Sequence, residues 1–135
     1  MEIFFSVHLI LMPLGFVLLA GGVVTVRYLR KKIWWFRLHK MLGVLSTIFF
    51  ISGGTAAVLM VELSGRGHFS IPHTWLGAAV IGLMTATLAV GFLQSRVGNK
   101  KRMRMIHRVM GRTVAVLSLV TVVTGAVAAG IIPAP

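Results

Sequence analysis

Long apolar runs alternate along this chain with short polar stretches, and the runs set the elements to be expected. Residues 3–26 are apolar except for Ser6, His8 and Thr25, and three further runs follow, so helices are expected at about 3–27, 35–61, 72–94 and 105–132. At about 1.5 Å per residue, each can cross a hydrocarbon core of about 30 Å. Ser70 and Pro72 suit the N-cap and first turn of the third helix, and Pro133 is expected to end the fourth. Pro13 is expected to kink the first helix and to free the carbonyl of Leu9. The first run does not read as a signal peptide, because its basic residues follow it and Met1-Glu2 offers no positive region ahead of it. The expected fold is all-α: a polytopic membrane protein whose 135 residues form one domain, an up-down four-helix transmembrane bundle with short loops.

Composition agrees with a lipid environment, since 57% of residues are hydrophobic and 12% charged. The net charge of +12 would suggest a nucleic-acid partner if it were spread over a soluble surface. It is not spread. Of the 14 Lys and Arg, all but Arg66 lie in the stretches 27–40 and 96–112. Charge gathered in alternate loops is what the positive-inside rule produces, so it speaks for topology and against nucleic acid. The two basic loops are then cytoplasmic, with both termini and the 62–72 loop on the other side, as for a bacterial inner membrane or its equivalent. Trp34 and Trp35 suit anchors at the inner interface.

Cysteine is absent, which excludes iron–sulfur clusters, thiolate zinc sites and covalent haem attachment. What remains is a recurring histidine. His39 and Gly43, His73 and Gly77, and His107 and Gly111 are each four residues apart, near the start of an expected helix. Residues i and i+4 share a helix face, so each glycine leaves a shallow dish beside an imidazole. A flat ring system bound through the histidine nitrogen needs that shape, and haem fits it. With the topology above, His8 and His73 fall near the outer ends of their helices and His39 and His107 near the inner ends. This gives two level pairs, about 20 Å apart in depth, a gap that two non-covalent ring cofactors stacked along the membrane normal would fill. Gly91 and Gly125 lie eighteen residues beyond His73 and His107, and Gly22 and Gly53 fourteen beyond His8 and His39. Each sits close to its histidine's face and is expected to thin the helix where the other cofactor passes. Each pair offers only two nitrogens, with no carboxylate at its level, which disfavours zinc. Bis-histidine ligation leaves haem iron no open position and suits electron transfer. His68, in the outer loop, stands outside the pattern as an exposed residue.

Ser70-Ile71-Pro72-His73-Thr74-Trp75-Leu76-Gly77 resembles the S-L-H-S-W-L-G signature of the eukaryotic-type cytochrome b561 domain, and Arg27-Tyr28-Leu29-Arg30 is similar to the end of that family's basic first-helix motif. The resemblance covers nearly the whole chain. It implies that His8 with His73 holds the non-cytoplasmic haem b and His39 with His107 the cytoplasmic one. It also implies an oxidoreductase that takes electrons from cytoplasmic ascorbate and delivers them to monodehydroascorbate or ferric iron outside, commonly as a homodimer. Arg27 and Arg30 then become candidate contacts for a small anionic reductant, and Lys101, about two turns before His107, joins them. Two other plans share the ligand pattern or its histidines. One is an anchor subunit that exchanges electrons with a quinol and a redox protein partner. The other is a histidine-lined proton or metal transporter, whose midplane would have to rely on Ser52, Thr55, Thr85 and Thr121.

Overall fold

The computed structural model describes residues 1–65, 67–69, 71–94, 96 and 98–133. It contains four helices and, among the described residues, no strand: α1 (Glu2–Tyr28), α2 (Trp35–Ser64), α3 (Pro72–Leu93) and α4 (Lys100–Ala128). All four are long and apolar enough to cross a membrane. The chain is therefore an integral membrane protein of the all-α class, as expected. It divides into two compact units, Met1–Ser70 and Ile71–Pro135, each an antiparallel helical hairpin.

Local chemistry explains the helix ends. α1 carries Glu2 in its first turn and Arg27 in its last, each complementing the helix dipole, and it runs unbroken through Pro13. α2 stops at Gly65, whose φ of 66° is left-handed and whose N–H donates to the carbonyl of Glu62. Pro72 opens α3 after Ile71, which is extended (φ −129°, ψ 149°) as a residue before proline must be. Ser70, the expected cap, and Arg66 lie outside the described residues.

α4 differs from expectation at both ends. It begins at Lys100 because the Asn99 side chain accepts the N–H of Arg102, a cap that hides inside a basic run. It ends at Ala128, before Pro133. Gly130 adopts φ 71°, its N–H donates to Val127, and that of Ile131 donates to Ala126, which together form a Schellman closure.

Each hairpin packs round a narrow seam. In the first, Met12, Leu19, Phe50 and Ala56 are buried with Gly15, Gly22 and Gly53. A Cβ on Gly15 would stand 3.3 Å from the Cβ of Phe49, so glycine here sets how closely α1 and α2 approach. Ser46, fully buried, donates across the seam to the carbonyl of Gly15 at 2.7 Å. In the second hairpin Val80, Met84 and Val114 are buried, with Thr87, Ser118 and Thr121 among them. Those three hydroxyls donate to carbonyls three or four residues back in their own helices, so polar side chains enter the seam without unmet hydrogen bonds. Large apolar residues such as Ile10, Val17, Ile48 and Val116 point outward, as lipid requires.

Candidate functional site

His8 and His39 lie in the second turns of α1 and α2, His73 in the first turn of α3 and His107 in the second turn of α4; all four are half-buried. Each directs Nδ1 at the other helix of its own hairpin. The Nδ1 of His8 lies 2.9 Å from the carbonyl oxygen of Gly53, that of His39 3.1 Å from Gly22, and that of His107 3.0 Å from Thr87. A carbonyl can only accept, so each of these Nδ1 atoms carries the proton and donates it. His73 reaches a hydroxyl instead, Thr124 Oγ1 at 3.5 Å. That hydroxyl gives its own proton to the carbonyl of Thr121 at 3.1 Å, which leaves its lone pairs to accept from His73. All four imidazoles are thereby held as the same tautomer, protonated on Nδ1 with the lone pair on Nε2. Metal-ligating histidines are oriented in this way, with the second nitrogen donating to a carbonyl or similar acceptor.

The glycines beyond the histidine repeats face imidazoles of the paired helix. A Cβ on Gly91 would stand 3.0 Å from His107 Cε1, one on Gly125 2.7 Å from His73 Cε1, and one on Gly22 3.8 Å from His39 Nδ1. What each thinned face admits is the imidazole of the facing helix. At Gly53 it is the carbonyl that meets His8, while an added Cβ would meet Met12 and Leu11 of α1. The contacts are reciprocal within each hairpin: α1 gives His8 and receives His39, and α3 gives His73 and receives His107. The signal was present in the sequence as equal histidine-to-glycine offsets on the two helices of a hairpin. Along the helix axis these offsets set the two imidazole levels about 21 Å apart in the first hairpin and about 27 Å apart in the second. Both separations fit inside a core of about 30 Å.

Gly43, Gly77 and Gly111 stand one turn beyond their histidines and are half-buried, and a Cβ on any of them would meet no protein atom within 4 Å. Gly82, exposed on the far side of α3, is equally open, so openness alone does not mark a cofactor face. Position beside the imidazole is what distinguishes the three. The donor set fits haem: imidazoles already held by Nδ1, with small residues on the same face. Among the described residues no group of three or more His, Cys, Asp or Glu comes together, as a protein-made zinc cage would require.

The remaining candidates lie at the helix ends. Arg27, Arg30 and Lys101 are all exposed, and the Arg30 guanidinium lies 5.6 Å from the centre of the Trp35 ring. His68, expected to be exposed, is half-buried. It pairs with Glu62 at 2.9 Å, a contact across the α2 terminus that the sequence pattern did not suggest. Thr55 and Thr85, required by a transport pathway, are exposed and donate to carbonyls of their own helices, and Ser52 is exposed too. Thr121, the fourth, is buried in the second seam and donates to the carbonyl of Leu117.

The sequence matches the model of the eukaryotic cytochrome b561 family over residues 7–132. It is also similar to the lysosomal membrane ascorbate-dependent ferrireductase of Danio rerio, at 27% identity over 131 residues, covering 90% of this chain and 53% of that protein. The chain thus spans about half the length of that relative.

Proposed function

Because this chain belongs to the eukaryotic cytochrome b561 family, we propose that it carries electrons across a membrane through two haem b groups, His8 with His73 ligating one iron and His39 with His107 the other. The observation that carries this reading is the common tautomer: four imidazoles, one per helix, each presenting Nε2 as its basic nitrogen. Haem, held by these histidines, would supply a reversible one-electron couple suited to electron transfer. The protein's part is then to fix the rings, exclude water and hold the two haem levels within tunnelling reach. Gly43, Gly77 and Gly111 leave room for the macrocycles beside His39, His73 and His107.

The positive-inside rule supports an orientation with the 29–34 and 94–99 connections cytoplasmic and both termini on the opposite side. This puts the His39 and His107 haem inside and the His8 and His73 haem outside. A specifically bacterial membrane gains no support from the eukaryotic family description. The relative's activity suggests the couple. Ascorbate, or another small reductant, gives up electrons at the basic face near Arg27, Arg30 and Lys101, and ferric iron accepts them at the other, making the protein a transmembrane oxidoreductase. The whole chain, 1–135, acts as a single electron-conducting domain.

Pyridine haemochrome quantitation on the purified protein tests the ligand set. Wild type should hold two haems per chain. His39→Ala and His107→Ala should each lose one, and the double variant should lose no more than either single variant, since bis-histidine ligation needs both rings. His8→Ala and His73→Ala should behave likewise for the other haem. Full haem content in all four single variants would falsify the ligand assignment.

A further inference from the structure

Three of the four proposed ligands rest on a backbone carbonyl, which no substitution can remove; His73 rests on a side chain. We infer that Thr124 is the positioning residue for His73, and that its hydroxyl makes the His73 haem the one whose affinity and potential a single side chain controls. This rests on the ligand reading above. The supporting chain of contacts is directional. Thr124 gives its hydroxyl proton to the carbonyl of Thr121 at 3.1 Å, and the Thr121 hydroxyl is separately engaged with the carbonyl of Leu117 at 2.7 Å. Thr124 is thereby fixed as a donor to its helix and an acceptor toward His73. A freely rotating hydroxyl could present either its proton or its lone pairs to an imidazole. This one can present only lone pairs, and so selects the Nδ1–H tautomer.

Two features make the position sensitive. The His73 contact is the longest of the four, 3.5 Å against 2.9, 3.1 and 3.0 Å for His8, His39 and His107. Hydrogen bonding at this length is weak, so His73 receives less basicity from its partner than the other three do. In addition, the ring lies against Gly125, the next residue of α4, where even a methyl group would stand 2.7 Å from Cε1. Thr124 and Gly125 together form the seat: one holds the nitrogen and the other leaves the volume.

The outcome to measure is haem affinity and midpoint potential, site by site, on the purified full chain in nanodiscs. Thr124→Val keeps the shape and removes the acceptor. It should weaken haem binding at one site by up to about tenfold, the low end of the effect of losing an outer partner of a ligating histidine, because the bond is long. It should also raise the midpoint of that haem alone, because a less basic imidazole stabilises ferric iron less. Thr124→Ser keeps the hydroxyl and should retain wild-type values. Thr113→Val, at an exposed threonine bonded only to its own helix, is the control for threonine loss in α4. Should Thr124→Val fail to assemble, Thr124→Ala removes the same hydroxyl without the branched side chain. Hemin titration of the apoprotein and spectroelectrochemistry give the two readouts. Wild-type affinity and both wild-type potentials in Thr124→Val or Thr124→Ala would overturn the inference. So would loss in Thr124→Ser equal to that in Thr124→Val, since that pattern reports packing. A His73→Ala variant with both haems intact would instead sink the parent ligand assignment, and the Thr124 role with it.

Discussion

Replacing Gly125 by alanine puts a methyl carbon where the His73 ring already stands. The new carbon would lie 2.7 Å from Cε1 and 3.2 Å from both ring nitrogens. Comfortable contact between carbons is about 3.5–4.0 Å, so the ring must retreat by roughly 1 Å. Overpacking of this kind costs about 1–3 kcal/mol, and alanine returns up to about 1 kcal/mol through its better helix propensity. A net loss of up to about 2 kcal/mol, if borne by the ligand, weakens haem binding by up to roughly thirtyfold. Gly91→Ala should act in the same direction but less, since its Cβ would meet His107 Cε1 at 3.0 Å. Gly22→Ala should differ in sign. Its methyl would reach His39 Nδ1 at 3.8 Å, an ordinary contact, so the helix-propensity gain of about 1 kcal/mol remains uncancelled. The assay is competition for haem with an excess of apomyoglobin, together with thermal loss of the Soret band. The ranking should be Gly125→Ala worst, then Gly91→Ala, with Gly22→Ala at or above wild type. If Gly22→Ala lost haem as readily as Gly125→Ala, the seating argument would be wrong.

Leucine at Gly77 or Gly111 should expel the adjacent haem at a cost of about 1–3 kcal/mol, whereas Gly82→Leu should not; haem-to-protein ratios showing the reverse would refute the dish beside the imidazole. Ser46→Ala removes a hydroxyl that crosses the first seam and should destabilise that hairpin by about 0.5–1.5 kcal/mol in reversible unfolding, with both haems retained at room temperature. Changing Arg27, Arg30 and Lys101 together to glutamine should slow stopped-flow reduction by ascorbate more than reduction by a neutral hydroquinone. Added salt should shrink that difference, and equal slowing of both reductants would point to a quinol or protein donor.

The architecture was legible because its signals are redundant. Four apolar runs of membrane length, separated by charge, leave little choice of element, and Pro72 marks its helix start where the chain obeys it. The ends of α4 were less legible because each rests on one residue in a misleading setting. Asn99 caps a helix whose first turn is Lys-Lys-Arg, a composition that reads as loop, and Gly130 closes it three residues before a proline that looks like the stop. The histidines stood out because imidazole is rare in such apolar runs. Their hydrogen-bond partners did not. Three are backbone carbonyls, which every residue has, and the fourth is one threonine among several.

The glycines show a sequence pattern that also records how the helices pack. Gly22, Gly53, Gly91 and Gly125 were rightly singled out by their periodicity, yet a cofactor passing each helix gives no reason for their offsets to match in twos. An antiparallel hairpin does. When a histidine on one helix faces a glycine on the other and the contact is returned, both histidine-to-glycine offsets must be equal, because they measure the same separation between two levels. The offset is fourteen residues for both His8 to Gly22 and His39 to Gly53, and eighteen for both His73 to Gly91 and His107 to Gly125. Ser46 and Gly15, bonded across the first seam, share the register of those pairs. Equality inside each hairpin, with different values in the two, is what partner packing demands. The small residues therefore act one step back from any cofactor: they admit the imidazoles to the seam, and the seam's carbonyls and Thr124 then fix which nitrogen each ring presents.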